Sequence, residues 1–288
     1  MSKILIIGNG FDLNLGLKTS YKSFILSSEF NDFLKSSDFL KNHLKTLGNV
    51  QNWIDIEHEL KNYSSNYTGT AEKLKSEFLM LKKDLSVYLQ KQVNLAAIAT
   101  NTKIKSTHAW KLLSKGTLLL DHEGSTYTEF SEIFSLNYTD FLQYINLDKI
   151  IKASNRHFVH GSLGDDNIIF GIEDNSVIED HDFLYKSYNS HFGKAPSVSE
   201  AIIQAKEVYF FGCSLGDTDD AHFKKAFQTI SKVKPLEKRK IYFYVKGRDG
   251  YDSTFKRITK LTDGNMSGFR TINSVRFFDV ENEKITEL

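Results

Sequence analysis

A chain of 288 residues is long enough for one large domain or two small ones, and at that size roughly 75% of the unfolded chain's surface can be buried. Hydrophobic residues at 40%, charged residues at 25% and only 2 prolines exclude the disordered and collagenous classes. Lys and Arg number 37 against 36 Asp and Glu, a formal charge of +1, so no global field draws nucleic acid or an anionic membrane as the main partner.

Met1, Ser2 and Lys3 precede the apolar run Ile4-Leu5-Ile6-Ile7, which is too short for a secretory leader and is stopped by Gly8. Continuous and β-branched, the run reads as a central strand buried on both faces of a parallel sheet. Gly8-Asn9-Gly10-Phe11-Asp12 follows at once, with Gly16 and Thr19-Ser20 ahead of the next helical pattern. Glycines there let a ligand approach the backbone, and N–H groups at a helix start attract phosphate oxygens, so a dinucleotide suits the position. The dehydrogenase fingerprint is not met, because its third glycine falls at Leu13 and no second strand with a terminal acid follows. A tight strand-to-helix turn without ligand is the plainer alternative.

The stretch from 25 to 115 reads as helix, with Leu74, Phe78, Leu81, Leu85 and Tyr88 in an i, i+4, i+7 rhythm. A βαβ crossover needs only about a dozen residues or more, so this is expected to be a large helical insertion, a lid or an oligomer surface, containing His43, Trp53 and His58. Ser64 to Thr70 is its clearest loop. Trp53, Asp55 and Glu57 read as an aromatic anchor with solvated acids on a helix. Further strands are expected at Glu132–Leu136, His157–His160, Asn167–Gly171, Val208–Phe211, Ile241–Val245 and Val275–Phe278, most followed by a turn and a helical pattern. The fold class is therefore α/β: a Rossmann-like, mostly parallel sheet flanked by helices, with a large helical insertion after the first strand. Residues 1–24 and 116–288 form the expected core, and 25–115 the insertion.

The single cysteine, Cys213, excludes an intramolecular disulfide and a cysteine-based zinc site and fits a reducing cytoplasm. No stretch approaches the roughly 18 consecutive apolar residues of a membrane span. The sequons at Asn62 and Asn66 are accordingly expected to carry no glycan. His157 and His160 lie on opposite faces of a strand and should share no metal, so none is expected. His181 and His191 flank a Tyr/Asn/Ser-rich segment and read as exposed.

Three more polar loops sit at strand ends, where ligands bind in open α/β sheets: Ser135-Leu136-Asn137-Tyr138-Thr139-Asp140, Val159-His160-Gly161-Ser162 and Phe211-Gly212-Cys213-Ser214-Leu215-Gly216-Asp217. Any one alone is explained as a capped strand end. Asp217, Asp219 and Asp220 suit a first helical turn, where each is worth about 0.3 to 1 kcal/mol.

The run Ile7 to Tyr21, with Trp53 to Glu57, Leu136 to Thr139, His160-Gly161 and Gly212 to Asp217, resembles the bacteriophage abortive-infection AbiH family nearly end to end. That family is in turn similar to sirtuin-like NAD-binding proteins. The resemblance implies NAD as ligand or substrate, held by Gly8, Asn9, Gly10, Phe11, Asp12, Gly16, Thr19, Asp140, Gly161, Gly212, Ser214, Leu215 and Asp217, with Asn137 and His160 catalytic. It also implies an antiphage role with a phage-derived trigger, a small-molecule nucleotide as partner and a homo-oligomer. Two departures stand out: the four cysteines of a deacylase zinc ribbon are absent, and Gly-Asn-Gly-Phe-Asp replaces Gly-Ala-Gly-x-Ser. NAD loses nicotinamide through an oxocarbenium-like centre, so a hydrolase needs an oriented water, a base and neutral donors. His160 suits the base and Asn137 the positioning group.

Gly212-Cys213-Ser214-Leu215-Gly216 also matches G-x-S-x-G between a strand and a helix, the context of a serine nucleophile. The only later histidine, His222, follows too closely to serve as its base. A sensor that binds NAD or a relative without turnover is the third reading.

Overall fold

The computed structural model describes residues 2–33, 42–46, 55–98, 106–115, 130–140, 155–164, 167–174, 181–189 and 196–288. Ile4 to Ile7 belong to β1 (Lys3–Ile7), every residue of which is buried. It pairs in parallel with β2 (Glu132–Ser135) on one side and with β6 (Glu207–Phe211) on the other. The remaining strands of this sheet are β3 (Asn155–Phe158), β7 (Arg239–Val245), β8 (Asn273–Asp279) and β9 (Lys284–Glu287). The 7-stranded order is β3-β2-β1-β6-β7-β8-β9, parallel throughout except for the antiparallel edge strand β9. The chain runs outward from β1 to β3 and then returns to β6 on the other side of β1. The strand order therefore reverses between β1 and β6, and ligand crevices of open α/β sheets lie at that point.

Alternation along the strands sends side chains into two cores. Leu5, Ile7, Tyr209, Phe211, Tyr242 and Tyr244 pack beneath α1 (Asn9–Leu15), the end of α5 (Ala71–Ile98) and α6 (His108–Lys115). Ile4, Ile6, Val208, Phe210, Ile241 and Phe243 face α8 (Val198–Gln204), α9 (Asp220–Ile230), α10 (Gly247–Leu261) and α11 (Met266–Ile272). Each fully buried Phe contributes about 1.5–3 kcal/mol relative to exposure.

The large helical insertion after β1 is present. α2 (Tyr21–Ile25) leads into it, and besides α5 and α6 it includes α3 (Ser28–Phe33) and α4 (Ile56–Ser65). Leu74, Phe78, Leu81, Leu85 and Tyr88 are all buried along one side of α5, as their spacing requires, and meet Phe24, Phe30 and Leu60. Ile168, Phe170 and Leu184 join the same cluster, and Phe78 stacks on Phe170 with centroids 5.7 Å apart.

Two expected strands differ. The chain leaves β3 at Phe158, so His160 lies in a turn. The strand expected over 167–171 shrinks to β5 (Asn167–Ile168), which pairs antiparallel with β4 (Gly161–Ser162) outside the main sheet. Gly161 at φ +72° turns the chain back, and Ile169 N–H bonds the His160 carbonyl at 2.7 Å. The apolar run there faces the helices of the insertion instead of a strand neighbour. α7 (Lys186–Asn189) follows this region. Trp53 and His191 lie outside the described residues.

Candidate functional site

The loops after β1 and β6 are welded backbone to backbone. Gly8 N–H bonds Phe211 O at 3.0 Å, and Gly10 N–H bonds Gly212 O at 3.0 Å. A Cβ at Gly10 would stand 2.6 Å from Gly212 Cα, and one at Gly212, where φ is +63°, 2.4 Å from the Gly10 carbonyl carbon. Close approach of two chain segments thus accounts for these glycines. Phe11 N–H is likewise bonded, to Gly8 O at 2.9 Å, so these amides are engaged within the protein.

A cleft of about 670 Å³ opens at this switch point, within the range of about 300–1,000 Å³ of small-molecule sites. Among the residues singled out by sequence, Gly8, Asn9, Gly10, Asp12, Thr19, Asn137, His160, Gly212 and Ser214 line it. Phe11, Gly16, Asp140, Gly161, Leu215 and Asp217 do not. Phe11 is core, edge-on to Phe211, and Gly16 is the left-handed cap of α1. Asp140 faces Arg156 at 3.4 Å. Arg257 of α10 grips the Gly212–Asp220 loop from outside, through Leu215 O, Asp217 and Asp220. Asp217 is also bonded by Lys260 at 2.6 Å, and that bond with Arg257 holds its carboxyl below the usual range.

Asp12 lies at the floor of the cleft, 1% exposed, on the first turn of α1. Asn137 Nδ2 donates to Asp12 Oδ1 at 2.9 Å and to Gly8 O at 3.1 Å, and the Thr139 hydroxyl donates to Asp12 Oδ2. Burial pushes the Asp12 pKa up to about 7 although the Thr139 and Asn137 hydrogen bonds pull it down.

His160, 7% exposed, holds Nε2 at 3.1 Å from Asp219 Oδ1. Burial alone would raise the Asp219 pKa, but the bond from His160 and the charges around it keep it below the usual range. An ionised Asp219 accepts, so Nε2 carries the hydrogen and Nδ1 is left as the basic nitrogen. His222 meets the His160 ring edge-on with centroids 5.5 Å apart, and burial together with His160 drives its pKa down to about 4. It is a neutral wall at pH 7. The plain first-turn reading of the three acids thus misses that Asp219 turns inward onto His160.

Glu57 corrects a second expectation. It is 6% exposed, not solvated, and lines the cleft from the first turn of α4, which Asp55 caps through the Glu57 and His58 amides. Tyr138 Oη donates to Glu57 Oε1 at 3.1 Å, and Lys186 Nζ bridges Glu57 Oε2 at 2.8 Å and Glu173 Oε1 at 2.7 Å. Burial would lower the Lys186 pKa, yet Glu57 and Glu173 hold it well above the ordinary lysine value. Burial and then Glu57 raise the Tyr21 and Tyr138 hydroxyls well above theirs. Nothing in the local sequence marks Glu57, Lys186 and Glu173 as partners, since they come from three separate segments.

Ser214 reaches the cleft, but Leu215 carries the positive φ, +51°, that a strained elbow gives to its nucleophile. Among the described residues no group of three or more His, Cys, Asp or Glu is arranged to hold a metal ion, and no helix is long and apolar enough to cross a membrane.

A family model described as Bacteriophage abortive infection AbiH matches residues 4–237. No curated protein and no solved structure matches the chain.

Proposed function

Since the chain belongs to the bacteriophage abortive infection AbiH family, which suggests antiphage abortive infection, we propose that it exerts this effect by binding NAD or a related nucleotide in the switch-point cleft and hydrolysing the nicotinamide–ribose bond. The observation that carries the reading is the Asp219-bound imidazole of His160 in a cleft whose floor holds a buried carboxyl, Asp12. In the reaction, the C1′–N bond breaks with its electron pair passing to the pyridinium nitrogen, which leaves as neutral nicotinamide. A water oxygen bonds C1′ and its proton goes to His160 Nδ1, while Asp219 fixes the tautomer and supports the imidazolium. With the Gly8, Gly10 and Phe11 amides engaged in the protein, Lys22 and Lys246, which line the same cleft, are the cationic residues proposed to meet the pyrophosphate. Glu57, Leu85 and Leu89 also line it, which supports a lid role for the helical insertion.

The test is nicotinamide release by the purified protein beside His160→Ala and Asn137→Ala, with folding checked by circular dichroism and NAD binding by calorimetry. Release that falls by about a hundredfold in both variants supports the assignment. Binding without release makes the protein a nucleotide sensor. Neither binding nor release overturns the NAD reading and leaves Ser214 as the reactive candidate.

A further inference from the structure

Asn137 has two amide hydrogens, and both are engaged, one by Gly8 O and one by Asp12 Oδ1. The Thr139 hydroxyl is given to the other oxygen of the same carboxyl. Two residues of the β2 loop are thus arranged around Asp12 as donors, and a carboxylate with donors on both oxygens is prepared to be an anion. Among the described residues the side chains bonded to it are neutral, whereas Glu57 has the Lys186 cation.

Resting on the glycosidic-cleavage reading, we propose that Asp12 is the catalytic residue that faces the reacting ribose, its carboxylate stabilising the positive charge that develops at C1′, and that Asn137 is a positioning residue acting through Asp12. The ligand class this selects is an N-ribosyl compound whose sugar becomes cationic on bond breaking. Asp12 forms no bond and transfers no proton in this role; the electron pair still leaves with the base, and the proton of water still passes to His160. Because burial raises its pKa to about 7, both forms are populated near neutrality, and a cation in the cleft favours the ionised one.

The probe is a protonated iminoribitol, a ring cation that mimics the ribosyl centre, with ADP-ribose as the uncharged-ribose control. Wild type should bind the iminoribitol, and Asp12→Asn should bind it at least about tenfold more weakly and lose nicotinamide release by about a hundredfold, with ADP-ribose affinity within about threefold. Asn137→Ala should show the same split, which a merely structural role would not produce. In Asp12→Asn the new amide oxygen faces Asn137 Nδ2 and its nitrogen the Thr139 hydroxyl, which can accept, so the fold is retained. Thr139→Val, which removes one donor from the carboxylate, is the second variant and should also weaken the iminoribitol selectively. Iminoribitol binding in Asp12→Asn equal to wild type overturns the proposal, even with NAD cleavage intact. Asp12-dependent iminoribitol binding with no release from NAD overturns only the NAD reading, and absence of both removes the two together.

Discussion

Replacing Asp12 by Asn should stabilise the folded protein at neutral and higher pH while removing the charge proposed for catalysis. Burial raises the Asp12 pKa from 3.8 to about 7 in the folded state. Between those values the folded chain keeps a proton that the unfolded chain releases, so wild-type stability falls as pH rises from about 4 to about 7 and then levels off. A shift of about three decades at about 1.4 kcal/mol each makes the loss about 4 kcal/mol. The Asn variant has nothing to titrate there and escapes the loss. Urea unfolding of both proteins at matched pH isolates this group, because the other titrating residues, Asp55 and His222 among them, cancel in the difference. The gap should open in favour of Asp12→Asn by about 4 kcal/mol between about pH 4 and about pH 8. A gap that stays flat across that range would refute the argument that Asp12 is held in a poorly solvated place.

The welded loops, the buried lysine and the dyad each give a further expectation. Gly212→Ala places a Cβ 2.4 Å from backbone at φ +63°, so thermal unfolding should fall by roughly 6–12 °C, from a loss of about 3 kcal/mol; an unchanged midpoint would mean the two loops do not touch. Lys186→Met leaves Glu57 and Glu173 buried without their cation and should lower stability by about 3–5 kcal/mol, partly recovered by adding Glu57→Gln. Additive effects in that double-mutant cycle, read by urea unfolding, would show the groups are uncoupled. Asp219→Asn should keep the fold and lower the nicotinamide-release kcat by about 10²–10⁴, and a rate within about threefold of wild type would remove the dyad from the mechanism.

The sheet was legible because its strands announce themselves: Ile4 to Ile7 is apolar at every position, and a strand buried on both faces has no other pattern to show. The same run of apolar residues misled at Ile168 to Phe170, where the neighbours are helices, since periodicity reports burial and not the partner that covers it. β9 escaped notice because Lys284-Ile285-Thr286-Glu287 is a largely exposed edge without an apolar signature. Within the cleft, the glycines and the polar strand ends could be placed by sequence, as backbone conformation and strand position follow from local patterns. The reason for the glycines could not, because it is the approach of a loop far along the chain. The same holds for charge: Glu57 looks like an ordinary first-turn acid until Lys186 and Tyr138 are brought against it.

Four carboxyl groups, Asp12, Asp55, Glu57 and Asp219, line one cleft, and each is made tolerable by a different means. Asp219 bonds His160, Glu57 bonds Lys186, and Asp55 receives two amides at the start of α4. Asp12 relies on neutral side-chain donors and on a proton it holds up to about pH 7, whereas Asp55, which holds one up to about pH 6, also feels the charge of Lys186. As the C1′–N bond breaks, positive charge moves from the pyridinium ring onto the ribose, and a carboxylate held by neutral donors at the cleft floor gains most from that shift, so differential stabilisation of the transition state concentrates on Asp12. The Lys186 ion pair keeps Glu57 from competing for that charge. That division explains why a buried acid that lowers stability sits next to two residues arranged to hold it.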